Sequence, residues 1–143
     1  MADIRLVDSV KNAMLTALRD AFDVGNSAAV FDFYTSPRPT LPSSAATGTL
    51  LGTVTFPDPS CATVGTPTAG RLTVTPGAMV SESSADATGT AFYARVSSVN
   101  SGVKTTVGDF DVGVTGGGAA VQMNTTSIVI GGPIIITAFE VYL

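Results

Sequence analysis

The stretch DFDVGV sets Asp109 and Asp111 two positions apart, and in an extended chain that spacing sends both carboxylates to one face. Two carboxylates so placed can begin a site for a hard cation such as calcium, which takes about six to eight oxygen ligands. No further oxygen ligands follow in register, so the pair reads instead as the solvent face of a strand with Phe110, Val112 and Val114 turned inward. Cys61, the single cysteine, sits in PDPSCATVG without a basic neighbour to lower its pKa, and reads as an inert thiol. It cannot close an intramolecular disulfide, which fits folding in a reducing cytoplasm. Three consecutive glycines, Gly116 to Gly118, lack the Lys-Ser/Thr that a phosphate cradle needs and read as a flexible hairpin tip. Asn124-Thr125-Thr126 matches the glycosylation pattern, but residues 1–25 carry seven scattered charges and no signal-peptide core.

There is no histidine, which removes the commonest general base and every Ser-His or Cys-His arrangement. Lys11 and Lys104, the only lysines, leave little for a Ser-Lys dyad. No catalytic, cofactor-binding or metal-binding residue is assigned, and an enzyme is not expected. Seven basic residues against eleven acidic ones leave a net charge of −4, with the cations scattered singly. Nucleic-acid binding needs several phosphate contacts from one surface, so it is not expected either. Only 13% of the 143 residues are charged, against about 25% in an average globular protein. The 20 threonines and 13 serines supply neutral polarity in their place. A surface so poor in charge is tolerable where other subunits cover part of it.

The elements that must position these residues divide the chain early. Val10, Ala13, Met14, Ala17, Leu18, Ala21 and Phe22 follow the steps of an amphipathic helix over residues 8–25. Asp8 or Ser9 is the expected N-cap, and Gly25 the expected left-handed stop. From residue 28 the period changes to two. AAVFDFYT, TGTLLGTVTF, TAFYARVSS, DFDVGV, AAVQM, SIVI and IIITAFEVYL read as strands, with loop-rich stretches at 36–46 and 57–85. About eight strands and a single helix predict one mainly β domain, an antiparallel β-sandwich or jelly-roll-like body. The closing run from Ile134 to Leu143 is about half the roughly 20 residues of a membrane-spanning helix, so no membrane partner is expected. Alternation puts Ile135, Thr137, Phe139, Val141 and Leu143 on a core face, and Ile134, Ile136, Ala138, Glu140 and Tyr142 on the other. A Gly131-Gly132 turn precedes this run, joining the last two strands.

The segments IRLVDSVKNAMLTAL, FDFYTSPRP, ATGTLLGTVTF, DATGTAFYARVSS and TTSIVIGGPIIITAFEVYL resemble a group of small virion structural proteins of tailed bacteriophages. The resemblance spans most of the chain except Pro57–Ser83 and carries no catalytic signature. It implies a virion location and a capsid decoration (cement) protein, often trimeric, whose partners are the major capsid protein and its own copies. A neck, tail or fibre-associated protein is the alternative within that class. A carbohydrate-binding β-sandwich on the virion surface is the alternative of another class, ranked lower because the chain has no Trp. The expected interface residues are Val10, Met14, Leu18 and Phe22 on the helix and Ile134, Ile136 and Tyr142 on the final strand. The helix seam is expected to be buried against the sheet or against another chain.

Overall fold

The computed structural model describes residues 5–56, 67–74 and 82–143. Cys61 and most of the loop-rich 57–85 stretch lie outside the described residues. Helix α1 (Asp8–Phe22) is followed by β1 (Ser27–Tyr34), β2 (Leu50–Thr55), β3 (Arg71–Val74), β4 (Gly89–Thr90) and β5 (Tyr93–Asn100). Then come β6 (Val103–Val114), β7 (Val121–Met123), β8 (Ser127–Ile128) and β9 (Ile136–Tyr142). Strand formation follows the β-branched and aromatic runs, and the mainly β class with an N-terminal helix is the one the sequence predicted. Seven strands form one sheet in the order β2-β1-β5-β6-β7-β9-β3, while β4 and β8 form a separate pair.

That sheet is folded over on itself. Phe31 in β1 and Phe139 in β9 are separated by three intervening strands, yet their rings meet edge to face at 5.1 Å. A flat sheet would hold them about 19 Å apart at roughly 4.8 Å per strand. The corner is β6, whose Val103–Asp111 stretch pairs with β5 around a bulge at Val107 and whose last three residues, Val112–Val114, pair with β7. The result is sandwich-like, with β2-β1-β5-β6 as one layer and β6-β7-β9-β3 as the other. Between them Phe22, Phe31, Phe33, Phe56 and Phe139 are fully buried, together with Leu15, Leu51, Leu72, Met123 and Ile134.

Two connections differ from the sequence expectation. The Gly116–Gly118 stretch is no hairpin tip, because β6 and β7 run parallel: Val112 pairs with Val121 and Val114 with Met123. The chain must double back within Thr115–Ala120, far shorter than an ordinary parallel crossover. Gly116 and Gly118 supply φ of +80° for the reversal, and the returning loop lies so close that a Cβ on Gly113 would sit 2.9 Å from the Ala119 Cβ. The Gly131-Gly132 turn does form, with the Gly132 N–H donating to the Val129 carbonyl at 2.8 Å. However, β8 pairs with β4 rather than with β9.

The helix ends also differ. Val7 is the N-cap residue and contributes no side-chain cap, while Asp8 sits in the first turn, where the helix dipole favours an acid. Gly25 is not in the left-handed region. It is required by close approach, since a Cβ there would meet the Val99 carbonyl oxygen at 2.2 Å. The seam that α1 turns to the core is Leu15, Leu18 and Phe22: Leu15 and Phe22 are buried and Leu18 packs against the cluster. Phe22 stacks on Phe56 at 5.6 Å and tilts against Phe139 at 6.2 Å. Asn12 ties the helix to the start of β3 by accepting the Gly70 N–H at 2.9 Å.

The final strand does not keep one alternation throughout. Met123 pairs with Ile136 but Gln122 pairs with Ala138, so the register shifts there and Thr137 is the extra residue. A bulge of this kind exchanges the two faces. Before it, Ile134 and Ile136 are buried and Ile135 is exposed; after it, Phe139 is buried and Val141 packs on the core while Tyr142 is exposed. The expected core face is therefore right at Phe139 and Val141, reversed at Ile134–Ile136, and wrong at Leu143, which is 48% exposed.

Candidate functional site

The expected interface residues separate into two groups. Phe22, Ile134 and Ile136 are core residues with 0%, 0% and 7% exposure, so their side chains have no surface left to offer another chain. Leu18 is only partly covered. Val10 and Met14, expected to be buried, are 44% and 49% exposed within this chain. The physical reason is the breadth of the apolar face. One stripe, Leu15, Leu18 and Phe22, packs on the core cluster. A second, Val7, Val10, Met14 and Ala17, lies beside it at alternating steps of three and four and faces away from the core.

That second stripe is the most concentrated exposed apolar feature of α1. Val7 is 66% exposed, Leu6 precedes it at the surface, and Ala13 and Ala17 are exposed along the flank. The steps from Val7 to Val10 to Met14 to Ala17 are those of a coiled-coil seam, the spacing by which one helix offers knobs to another. Leu143 ends beside the same part of the helix: its carbonyl oxygen and the Lys11 side chain both crowd Gly70. A second apolar projection is Val129-Ile130, held out on the Gly131-Gly132 turn by hydrogen bonds from Gly131 N–H to the Ala85 carbonyl and from Ile130 N–H to the Thr88 hydroxyl.

Tyr142, also named from the sequence, is exposed but engaged. Its hydroxyl donates to Glu140 Oε2 at 2.6 Å and the Arg71 guanidinium stands 5.0 Å from its ring centroid. Arg71 also binds both Glu140 oxygens at 2.7 Å across the β3–β9 pair. The Arg71 hydrogen bonds, and then that of Tyr142, hold the Glu140 carboxyl below the usual range. The same hydrogen bond to Glu140 raises the Tyr142 phenol.

On the face of the sheet opposite Phe31 and Phe33, one row of residues crosses four strands. Thr53, Asp32, Arg95 and Asp109 are successive partners on β2, β1, β5 and β6. Asp32 accepts from the Thr53 hydroxyl and from Lys104 Nζ, the latter at 2.6 and 2.8 Å. Arg95 donates through Nε and Nη2 to the two oxygens of Asp109 at 2.7 and 2.8 Å, and both side chains are almost fully covered. Those bonds raise the Arg95 guanidinium further above its ordinary value. Asp109 is thus not a solvent-face acid, and its carboxylate is committed to an arginine. Asp111, the other half of the sequence pair, is exposed and accepts the Ala120 N–H at 3.0 Å.

The covering element is the Pro-rich 36–46 loop. Its Ser44 carbonyl accepts from Arg95 Nη1 at 2.8 Å, and Tyr93 bonds the Thr47 backbone at both N–H and carbonyl. Between this loop and Phe92 lies an open pocket of about 590 Å³, with Asp109 in its lining. Sequence reasoning placed the loop but not the pocket, because nothing local says that a proline-rich segment folds back over its own sheet. Among the described residues no cluster of three or more His, Cys, Asp or Glu is placed to hold a metal ion, and no helix is long and apolar enough to cross a membrane. Compared with known protein families, curated proteins and solved structures, the chain matches none.

Proposed function

We propose that this chain is a non-enzymatic virion structural protein, a capsid decoration protein that docks on the major capsid protein through the outer stripe of α1. The observation that carries the reading is the seam of Val7, Val10, Met14 and Ala17, exposed among the described residues and set on a helix that is anchored to the core by its other apolar stripe. The resemblance of IRLVDSVKNAMLTAL and the other quoted segments to phage virion proteins supports the location, and the 13% charge content supports a partly covered surface.

Size favours a repeated contact over an isolated one. Leu6, Val7, Val10, Met14 and the neighbouring alanines leave on the order of 400 Å² of apolar surface, about half of the roughly 800 Å² per partner of a standard interface. A contact of that area is weak by itself. Repeated by symmetry around a trimer and over a shell, it holds through avidity. The homotrimer and the virion location belong to the same proposal.

The test is co-sedimentation of the purified full-length chain with shells that lack it. Binding is expected for the natural chain and for a control substitution on the polar face, Thr16→Ser. It is expected to be lost for Met14→Asp with folding intact, because the acid would have to be desolvated only at the docked surface. Equal binding of Met14→Asp and the natural chain would remove α1 from the interface.

A further inference from the structure

We propose that the pocket between the Pro-rich loop and Phe92 binds a carboxylated pyranose, an acidic sugar unit of the uronic-acid type. Its volume, about 590 Å³, falls within the usual range for small-ligand sites, about 300–1,000 Å³. Its walls are fixed before any ligand arrives. Pro37, Pro39 and Pro42 restrict the loop backbone, and the loop is tied to the sheet at Ser44 by Arg95 and at Thr47 by Tyr93. Phe92 is held from both sides of its peptide unit, with its N–H donating to the Tyr34 carbonyl and its carbonyl accepting from Val112. A ring fixed in this way and still 51% exposed is a ready platform for an apolar ring face.

The polar groups select among ligands with such a face. Arg38 lines the pocket and, among the described residues, has no carboxylate partner, so it supplies a planar donor fork for an anion. Asp109 is electrically balanced by Arg95. Its carboxylate is covered and held by that arginine, so it lines the pocket without adding a net negative charge that would repel an anion. Ser36 and Thr40 add hydroxyls to the same lining. One apolar ring face, several hydroxyls and one carboxylate describe an acidic pyranose. A polyproline peptide fits less well: such grooves present several aromatic rings to the ligand's prolines, whereas here the prolines stand on the protein's own wall beside one aromatic.

The experiment is a titration of the isotope-labelled full-length chain, followed by amide NMR, with trigalacturonate, with the neutral trisaccharide maltotriose and with a proline-rich decapeptide. Trigalacturonate is expected to shift the amides of Arg38, Thr40, Phe92 and Asp109 and to bind more tightly than maltotriose. Arg38→Gln should weaken trigalacturonate about fivefold or more while leaving maltotriose unchanged. Phe92→Ala, whose spectrum first confirms that the fold is kept, should remove both. The proposal is overturned if trigalacturonate shifts nothing in the pocket, if Arg38→Gln leaves its affinity unchanged, or if the decapeptide alone binds. Because the chain is tested in isolation, the outcome is separate from that of shell co-sedimentation.

Discussion

Two adjacent residues of α1, Met14 and Leu15, are expected to respond in opposite ways to truncation. Leu15 is 1% exposed and belongs to the core cluster. Removing its three outer carbons forfeits the transfer free energy and leaves a cavity that a helix anchored at Phe22 and Asn12 cannot readily close. Leu15→Ala is therefore expected to cost about 2–5 kcal/mol. In a domain of this size each kcal/mol moves the melting temperature by a few degrees, so the loss should be of order 10 °C. Met14 loses little when cut back, since half of it is in water already, and Met14→Ala should stay within about 0.5 kcal/mol. Urea denaturation at a concentration where the chain is dispersed, followed by far-UV circular dichroism, measures both. The slope should be unchanged in each variant, so that the midpoints report stability alone. A Met14→Ala variant destabilised as much as Leu15→Ala would show that α1 turns the other stripe inward. The docking seam would then not exist.

The buried ion pair, the carboxylate of β9 and the closing strand each supply a further test. Asp109→Ala leaves the Arg95 guanidinium buried without its counter-charge and should cost about 3–5 kcal/mol in chemical denaturation, because both side chains are almost completely covered. Glu140 has a carboxyl held below its ordinary value of 4.5, so the stability it contributes is present above that pH and is lost as the pH falls through the lowered folded value. Thermal melts taken downward from about pH 6 should show this loss in the natural chain and a shallower acid limb in Glu140→Gln. Deleting Ala138–Leu143 removes Phe139, which packs on Phe22, Phe31 and Phe110, and strips β7 and β3 of their shared partner. The truncated chain should fail to fold, and a soluble product with the natural circular dichroism spectrum would contradict the account of the core.

Where a single periodicity governs a segment, the sequence was legible. AAVFDFYT put Phe31 and Phe33 on one face and Asp32 on the other, as the structure has them. TAFYARVSS put Phe92, Ala94 and Val96 opposite Tyr93 and Arg95, which holds for Ala94 and Val96 in the core, whereas Phe92, just before β5, is exposed and lines the pocket beside Asp109. Legibility failed where long-range contacts chose between local alternatives. The helix carries two apolar stripes side by side, and only the way α1 is laid on the sheet selects Leu15 over Met14. The final strand changes face at Thr137 because its pairing with β7 slips by one residue, and no feature of IIITAFEVYL announces the slip. Asp109 looked solvent-facing because its partner Arg95 lies across the hairpin and its cover, the 36–46 loop, is remote in sequence. The three glycines were recognised as a reversal, but whether the strands after a reversal run parallel or antiparallel depends on which edge is free. Of the interface residues named from the sequence, Val10, Met14 and Tyr142 are at the surface, while Val7 was missed because a lone apolar residue near a break carries no period.

The central claim, that the chain is a shell decoration protein, is tested most directly by counting its copies per particle by quantitative mass spectrometry of purified virions, with the major capsid protein as the internal reference. Decoration by trimers distributed over the shell predicts a copy number in the hundreds and a fixed ratio to the capsid protein. About six to twelve copies would place the chain in a ring at the neck or tail, and its absence from the particle would contradict the account altogether.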